Sequence, residues 1–538
     1  MNRVGRQSLA ILRLLLAVVL AVCCLGAARQ DQQPASPSPS QAPPQPPPQA
    51  SQQSEKEPPE VKITPRQAEE LFHSVDEILE FDSKQTGLPI RHSVKRKLSS
   101  RDEVVAFLTK HMNDEDTQRL KRSELVLKKF GLLPQDFKLE TFLVALLREE
   151  VAGYYDPKTK TVNLLDWVPM EEQEPVVAHE LTHALQDQTI GLEKWMKAGD
   201  KDLITIHRDL KPSDIVADET DDVREAVIEG QAQAMMFQYA LAPAGRSITD
   251  SPGLVQSMEE QSLTGTPGTK VFDEAPMFLK ESMTFPYSFG MEFVIKVYEK
   301  SGRERAFAGM LENPPQTTRQ IMQPETYISG EKIAPMPVPN FKRDFKDYQK
   351  LDIGAMGEFD SDMLIEQYAG KPAAKQLYPA WRGGYYYAVL PKPDPNAHLA
   401  ASGPIGLLYA SRWSNTEKAA EFAGIYARAL KSRYKKLEGE PVPDRLPDDR
   451  APDDQSMNDR SPRDQPSAPS AEAKPHIEIE KDAPVRIDPL PGRHSWTTEE
   501  GTVVIEAKGD TVFVSENLDA ATTATLEKEV LAAASAAK

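Results

Sequence analysis

His179 and His183 stand four residues apart, with Glu180 between them, in the run VVAHELTHALQDQ. On an α-helix, at roughly 100° per residue, such positions lie about 40° apart around the axis, so the two imidazoles converge on one point. That point suits a tetrahedral zinc ion with one position left open. Glu180 falls beside the pair, near the metal but poorly placed to bind it. A carboxylate there can take a proton from a metal-activated water and pass it to a leaving amine. Zinc matters because it lowers the pKa of a bound water from about 16 to about 7. With nine histidines in 538 residues, the H-E-x-x-H spacing arises by chance about 0.01 times. The competing reading is a pair of solvated surface histidines. The apolar residues around them argue for a buried helix, and buried histidines need partners.

Two histidines do not complete a site. The six residues after His183 are ALQDQT, with no Gly three on and no His six on, so the metzincin arrangement is absent. Glu229, in REAVIEGQAQAMMFQY, is the favoured third ligand. Its small neighbours Gly230, Ala232 and Ala234 let a second helix approach the first. A carboxylate buried there is costly without a cation. Glu225, four residues earlier on the same face, is the main competitor, as a ligand or as a carboxylate behind the ligands. His207, or an acid within 200–222, is the other candidate donor. Tyr287 in FPYSFG could lend a phenol to an oxyanion, although aromatics in apolar runs are more often core.

These side chains need a scaffold. Residues 64–150 read as helical. Thr64-Pro65 offers a capping hydroxyl and an N-terminal proline, Ser100 and Glu103 have capping-box spacing before VVAFL, and Gly131 ends the helix of LVLKKF. A further helix is LETFLVALLREEV. AGYYD and TVNLL flank Asp156-Pro157-Lys158-Thr159-Lys160, which predicts a strand, a turn and a second strand. The metal helix then begins near Glu174, with Pro175 in its first turn. Another helix spans about 222–239, and a helical region spans 285–312. The fold class is α+β: a mainly helical domain with a short β-hairpin over 61–340, and a smaller C-terminal α+β domain. The latter covers 345–440, with WRGGYYYAVL and GPIGLLYASRW as strands and TEKAAEFAGIYARALKSRY as an amphipathic helix. HSWTTEEG, TVVIEA and TVFVSE, with a closing helix, lie in 475–538 and are expected to complete its sheet.

Arg3, Arg6 and Arg13 precede a run of 12 apolar residues, Leu14–Leu25, followed by Gly26-Ala27-Ala28. A spanning helix needs about 20, so residues 1–28 read as a cleaved signal peptide. Lipidation of Cys23 is the rival, with Val22 standing where a small residue is expected. Residues 29–60, rich in Pro, Gln and Ser, and residues 441–474, rich in Pro and Asp, read as disordered tethers. The protein is therefore expected to be exported, periplasmic or secreted, with no membrane span in the mature chain. Both cysteines, Cys23 and Cys24, lie in the signal. Thiol catalysis, Cys-ligated zinc and disulfides drop out with it. Lys and Arg number 64 against 82 Asp and Glu, a net charge of −18, which argues against nucleic acid and anionic membrane surfaces as partners.

GYYDPKTKTVNLL, VVAHELTHALQDQ, AVIEGQA and FPYSFGMEFV together resemble a group of exported bacterial proteins described as gluzincin-like (peptidase MA-like) zinc metallopeptidases. The likeness spans about residues 64–340. It implies a zincin-like domain, Zn2+ held by His179, His183 and Glu229, Glu180 as general base, and a peptide or protein substrate. It also implies an edge strand before the metal helix, and TVNLL is placed to pair with an extended peptide; the alternative is a purely structural hairpin. Two features depart from the pattern. Glu229 follows His183 by 46 residues, against about 20 in thermolysin-like enzymes, so about 190–221 must loop out. In TTRQIMQPETY, Arg319 and Gln323 stand where relatives tend to have an acid and a His. The rival class is a non-catalytic, envelope-associated binding protein with a structural or vestigial zinc site. Four protein ligands closing the metal would favour it.

Overall fold

The computed structural model describes residues 63–100, 102–103, 114–150, 153–166, 170–199, 203–206, 208–250, 253, 270–393, 403–442 and 485–534. The expected signal peptide, the first tether, the second tether beyond residue 442, VVAFL and His207 lie outside these. Two compact units emerge. The first comprises Met1–Lys128, Leu133–Asp202 and Val216–Lys332, and the second Lys129–Leu132, Leu203–Ile215 and Ile333–Lys538. The segment expected to loop out between the metal helices thus splits, and Leu203–Ile215 belongs to the second unit.

In the first unit, helix α1 (Pro65–Thr86) opens on a capping box: the Gln67 amide donates to the Thr64 hydroxyl, and the Thr64 amide donates to Oε1 of Gln67. Strand β1 (Lys95–Ser99) follows, which corrects the all-helical reading of 64–150. Its sequence, KRKLS, carries little strand propensity; the strand forms because it pairs in parallel with TVNLL. The Ser100–Glu103 capping box is present. Helices α2 (Asp114–Phe130) and α3 (Leu139–Glu150) are separated by Gly131 at φ 73°. The hairpin is β2 (Tyr154–Asp156) and β3 (Thr161–Leu165). The sheet order is β1-β3-β2, so β3 has a neighbour on both sides. TVNLL is therefore the central strand, and the expectation that it is an edge open to a peptide is overturned.

Helix α4 (Met170–Ile190) carries the two histidines. It starts before Glu174, leaving Pro175 in its interior rather than its first turn, where it forfeits one backbone hydrogen bond. Helices α5 (Leu192–Gly199), α6 (Thr220–Leu241), α7 (Met277–Thr284) and α8 (Ser288–Ser301) follow. α4 packs against α1 and α6, and α6 packs against α8. Val176, Val177, Ala178, Leu181, Ala184 and Leu185 are all buried, and so are His179, Thr182, His183 and Gln186, so α4 is an interior helix with an apolar side and a buried polar side.

The second unit is built on one antiparallel sheet. Its elements are β4 (Tyr348–Ala355), α9 (Glu358–Ala369), α10 (Lys371–Leu377), β5 (Trp381–Pro391), β6 (Gly406–Trp413), α11 (Thr416–Arg433), β7 (Leu437–Gly439), β8 (Gly492–Thr498), β9 (Thr502–Lys508), β10 (Thr511–Glu516) and α12 (Ala520–Ala534). The order β4-β5-β6-β10-β9-β8-β7 sets the last strands beside β6. HSWTTEEG, TVVIEA and TVFVSE do complete the sheet begun before residue 440. With its helices, three-stranded sheet and seven-stranded sheet, the chain is α+β.

Candidate metal centre

α4 and α6 bring three of the expected residues together. Nε2 of His179 lies 3.1 Å from Nε2 of His183 and 3.2 Å from Oε2 of Glu229, and Nε2 of His183 lies 3.4 Å from the same oxygen. Ligand atoms about 2.0–2.1 Å from a tetrahedral ion stand about 3.3–3.4 Å apart. The three atoms are thus spaced as one face of a tetrahedron needs. His179, Glu229 and Glu180 are 0%, 0% and 1% exposed and His183 is 5% exposed. This buried His179–His183–Glu229 group could hold a metal ion.

The surroundings fix the ligands. Nδ1 of His183 is 2.9 Å from Oε1 of Gln186, an acceptor that keeps the proton on Nδ1 and leaves Nε2 free for a metal. Gln186 in turn donates to the Ile228 carbonyl and to Oε1 of Gln231, at 3.0 Å each. Gln231 donates to the Ala306 and Phe307 carbonyls. The hydrogen-bond chain therefore ties α4 to α6 one turn from the ligands. Gln186 belongs to no motif in the sequence, although its place three residues after His183 puts it on the same helix face.

Electrostatics fit a cation. Burial opposes ionisation of Glu229 and is the largest single effect, yet the charges and hydrogen bonds of His183 and His179 together outweigh it and hold the carboxyl down at about 2. Burial opposes the charged form of His183 too, but the Glu229 carboxylate raises it to about 9. Glu180 is pushed up, chiefly by burial. Its Oε2 accepts from the Tyr155 amide at 2.7 Å, while its Oε1 has no hydrogen-bond partner. β2 is thus the strand against the motif. Tyr155 is itself pinned, its hydroxyl donating to Asp187 at 2.8 Å beside the Lys160 ammonium at 2.5 Å from the same oxygen.

Glu225 is buried on α6, but its atoms are not in the converging group. Tyr287 is buried, its ring stacked on His179 with centroids 6.3 Å apart. Its hydroxyl makes no hydrogen bond of good geometry. Burial, then the charges of Glu229, Glu225 and Glu180, push it well above the usual phenol value. Its position follows from the small residues expected to serve the metal helix. A Cβ on Gly230 would lie 2.2 Å from the Gly290 carbonyl carbon. The close approach at Gly230 is therefore made to α8, and it draws Tyr287, one residue before α8, over the cluster. Arg319 is buried, with Nε 3.0 Å from Glu331, and Gln323 precedes a short helix, Pro324–Ser329; neither is in the converging group.

No protein-family model matches this chain, and comparison with curated proteins and with solved structures finds no match.

Proposed function

We propose that this protein is an exported zinc-dependent metallopeptidase. The observation that carries the reading is the triangle of His179 Nε2, His183 Nε2 and Glu229 Oε2, at separations of 3.1 to 3.4 Å, with the unpartnered Oε1 of Glu180 on the next residue. Two imidazoles and one carboxylate select zinc over magnesium or calcium, which prefer all-oxygen sites. The three residues would hold the ion; bound zinc would polarise a peptide carbonyl and acidify a water. Glu180 takes the proton from the attacking water and delivers it to the leaving nitrogen. Its raised pKa, caused mainly by burial, favours a group that must carry a proton through each turnover. The Tyr155 amide steadies one oxygen and leaves the other for this transfer. The Tyr287 hydroxyl is a spare donor for a developing oxyanion. Export rests on the sequence of residues 1–28. No described helix is long and apolar enough to cross a membrane.

Complete burial of the cluster favours a second reading, in which the ion is structural and the protein is a non-catalytic binding protein of the envelope. One experiment separates the two. Purified chain is assayed for metal content and for hydrolysis of a mixed peptide library, beside Glu180→Ala. A peptidase binds about one zinc per chain in both forms and loses hydrolysis in the variant. Full zinc occupancy with no hydrolysis by the wild type favours the structural reading. Absence of zinc sinks both.

A further inference from the structure

The second unit contains a cavity of about 240 Å³, which touches neither α4 nor α6. Its walls combine aromatic and aliphatic surface, including Phe341, Tyr387, Ile206 and Leu210, with the lysines Lys342 and Lys350. The walls rest on a packed base: Phe341, Phe345 and Tyr387 stack nearly parallel, with Phe345 and Tyr387 centroids 5.4 Å apart. The cavity is therefore preformed.

The charges in it are unequally matched. Arg208 also lines the cavity but is committed, forking onto Asp214 at 2.6 and 2.7 Å. Lys350 is only half-exposed, and its ammonium has a carbonyl at 3.5 Å and the Phe341 ring at 5.3 Å. Neither neutralises it. Lys342 makes no ion pair with a described residue. Asp209, also in the lining, offsets one of the two lysines and leaves a single net positive charge. Drug-sized ligands need about 300–1,000 Å³, so the occupant is smaller, about the size of one amino-acid residue.

We propose that this cavity binds a small monocarboxylate, its anionic head between Lys342 and Lys350 and its apolar or aromatic tail against Phe341 and Tyr387. One net positive charge matches a carboxylate better than a dianionic phosphate, and lysine ammoniums serve as point charges without the fork that phosphate recognition favours. The same chemistry is offered by a free acid and by the last residue of a peptide.

Titration calorimetry on the full-length chain tests this with N-acetyl-L-phenylalanine, its amide, the tripeptide Gly-Gly-Phe and inorganic phosphate. The acid is expected to bind and the amide to bind at least tenfold more weakly. Lys350→Met should weaken the acid at least tenfold, with Lys332→Met, an exposed lysine of the other unit, leaving it unchanged. Tripeptide binding equal to that of the acid identifies peptide ends as the source; much weaker tripeptide binding identifies free acids. Equal affinity for acid and amide, or stronger binding of phosphate than of the acid, overturns the proposal. Should Lys350→Met melt earlier than the wild type, the exposed Lys342→Met carries the same test, and no loss of affinity there also overturns it.

Discussion

Glu229 in the first unit and Glu516 in the second are both fully buried, and both are held down at about 2 against the pull of burial. Their partners differ in kind. Oε1 of Glu516 accepts from Tyr426 and Arg433 at 2.7 Å each, and Oε2 accepts from Arg433 and Tyr434 at 2.5 Å, with the Lys129 ammonium 3.5 Å away. The guanidinium carbon of Arg433 lies 5.4 and 5.5 Å from the ring centroids of Tyr426 and Tyr434, and its Nε and Nη1 make no hydrogen bond. Arg433 carries its charge at any ordinary pH. Glu229 instead faces two histidines, which are cations only when protonated, and its Oε1 has no partner. A depressed carboxylate is thus no mark of a functional site by itself. What distinguishes Glu229 is a partner set that a metal can replace, beside a carboxylate oxygen left unpaired.

The largest expected contrast is in turnover. Glu180→Ala should cut peptide hydrolysis by about 10²–10⁴-fold, the usual weight of a general base, without loss of zinc. Glu516→Gln should leave kcat near wild type. Equal losses in both would break the distinction, because they would report damage to the fold.

Stability should divide the two centres next. Glu516→Gln leaves Arg433 buried without its anion, although Lys129 keeps Glu500 at 2.7 Å; the loss costs about 3–5 kcal/mol, and zinc should not recover it. Zinc should raise the Tm of the wild type, because it binds only the folded chain, and should raise that of Glu229→Gln far less. Thermal melts with and without zinc or chelator measure both.

Acid should act on Glu516 with a definite sign. Its carboxyl is lowered from 4.5 to about 2, so its contribution is fully present above pH 4.5 and is lost as pH falls through about 2. The shift corresponds to about 3 kcal/mol. Denaturant melts from pH 5 to pH 2 should show this loss in the wild type and a flatter profile in Glu516→Gln.

The metal centre was more legible than the frame around it. His179, His183 and Glu180 declare themselves through helical periodicity, and Glu229 through its small neighbours, since both signals are local. Thr64 and Gly131 likewise act on adjacent backbone. β1 was not legible, because KRKLS becomes a strand only through its distant partner TVNLL. The same pairing makes TVNLL central rather than an edge, so one missed strand changed the reading of another. Gly230 signals a close approach, but its partner, Gly290, is 60 residues away. Glu516 gave no signal, because its counter-charges, Lys129 and Arg433, come from distant parts of the chain.

Gln186→Ala tests how far the open centre depends on support. The ligands stay, but His183 loses the acceptor that orients it. Removing such partners typically costs 10–100-fold in metal affinity. A competition titration against a chromophoric chelator reads this directly. An unchanged affinity would mean that burial alone positions the imidazole.

The finest comparison is between two buried tyrosine hydroxyls. That of Tyr426 donates to Glu516 at 2.7 Å, and hydrogen bonds to charged groups are worth about 1.5–3 kcal/mol. That of Tyr287 lies among carboxylates without a well-formed bond, so it has little to lose. Tyr426→Phe should therefore destabilise the chain by about 2 kcal/mol, and Tyr287→Phe by less than about 0.5 kcal/mol in the metal-free state. Urea melts of the two variants resolve the difference. A large loss from Tyr287→Phe would show that its hydroxyl belongs to a completed hydrogen-bond network. The first centre would then be as closed as the second, and the spare donor invoked for catalysis would be gone.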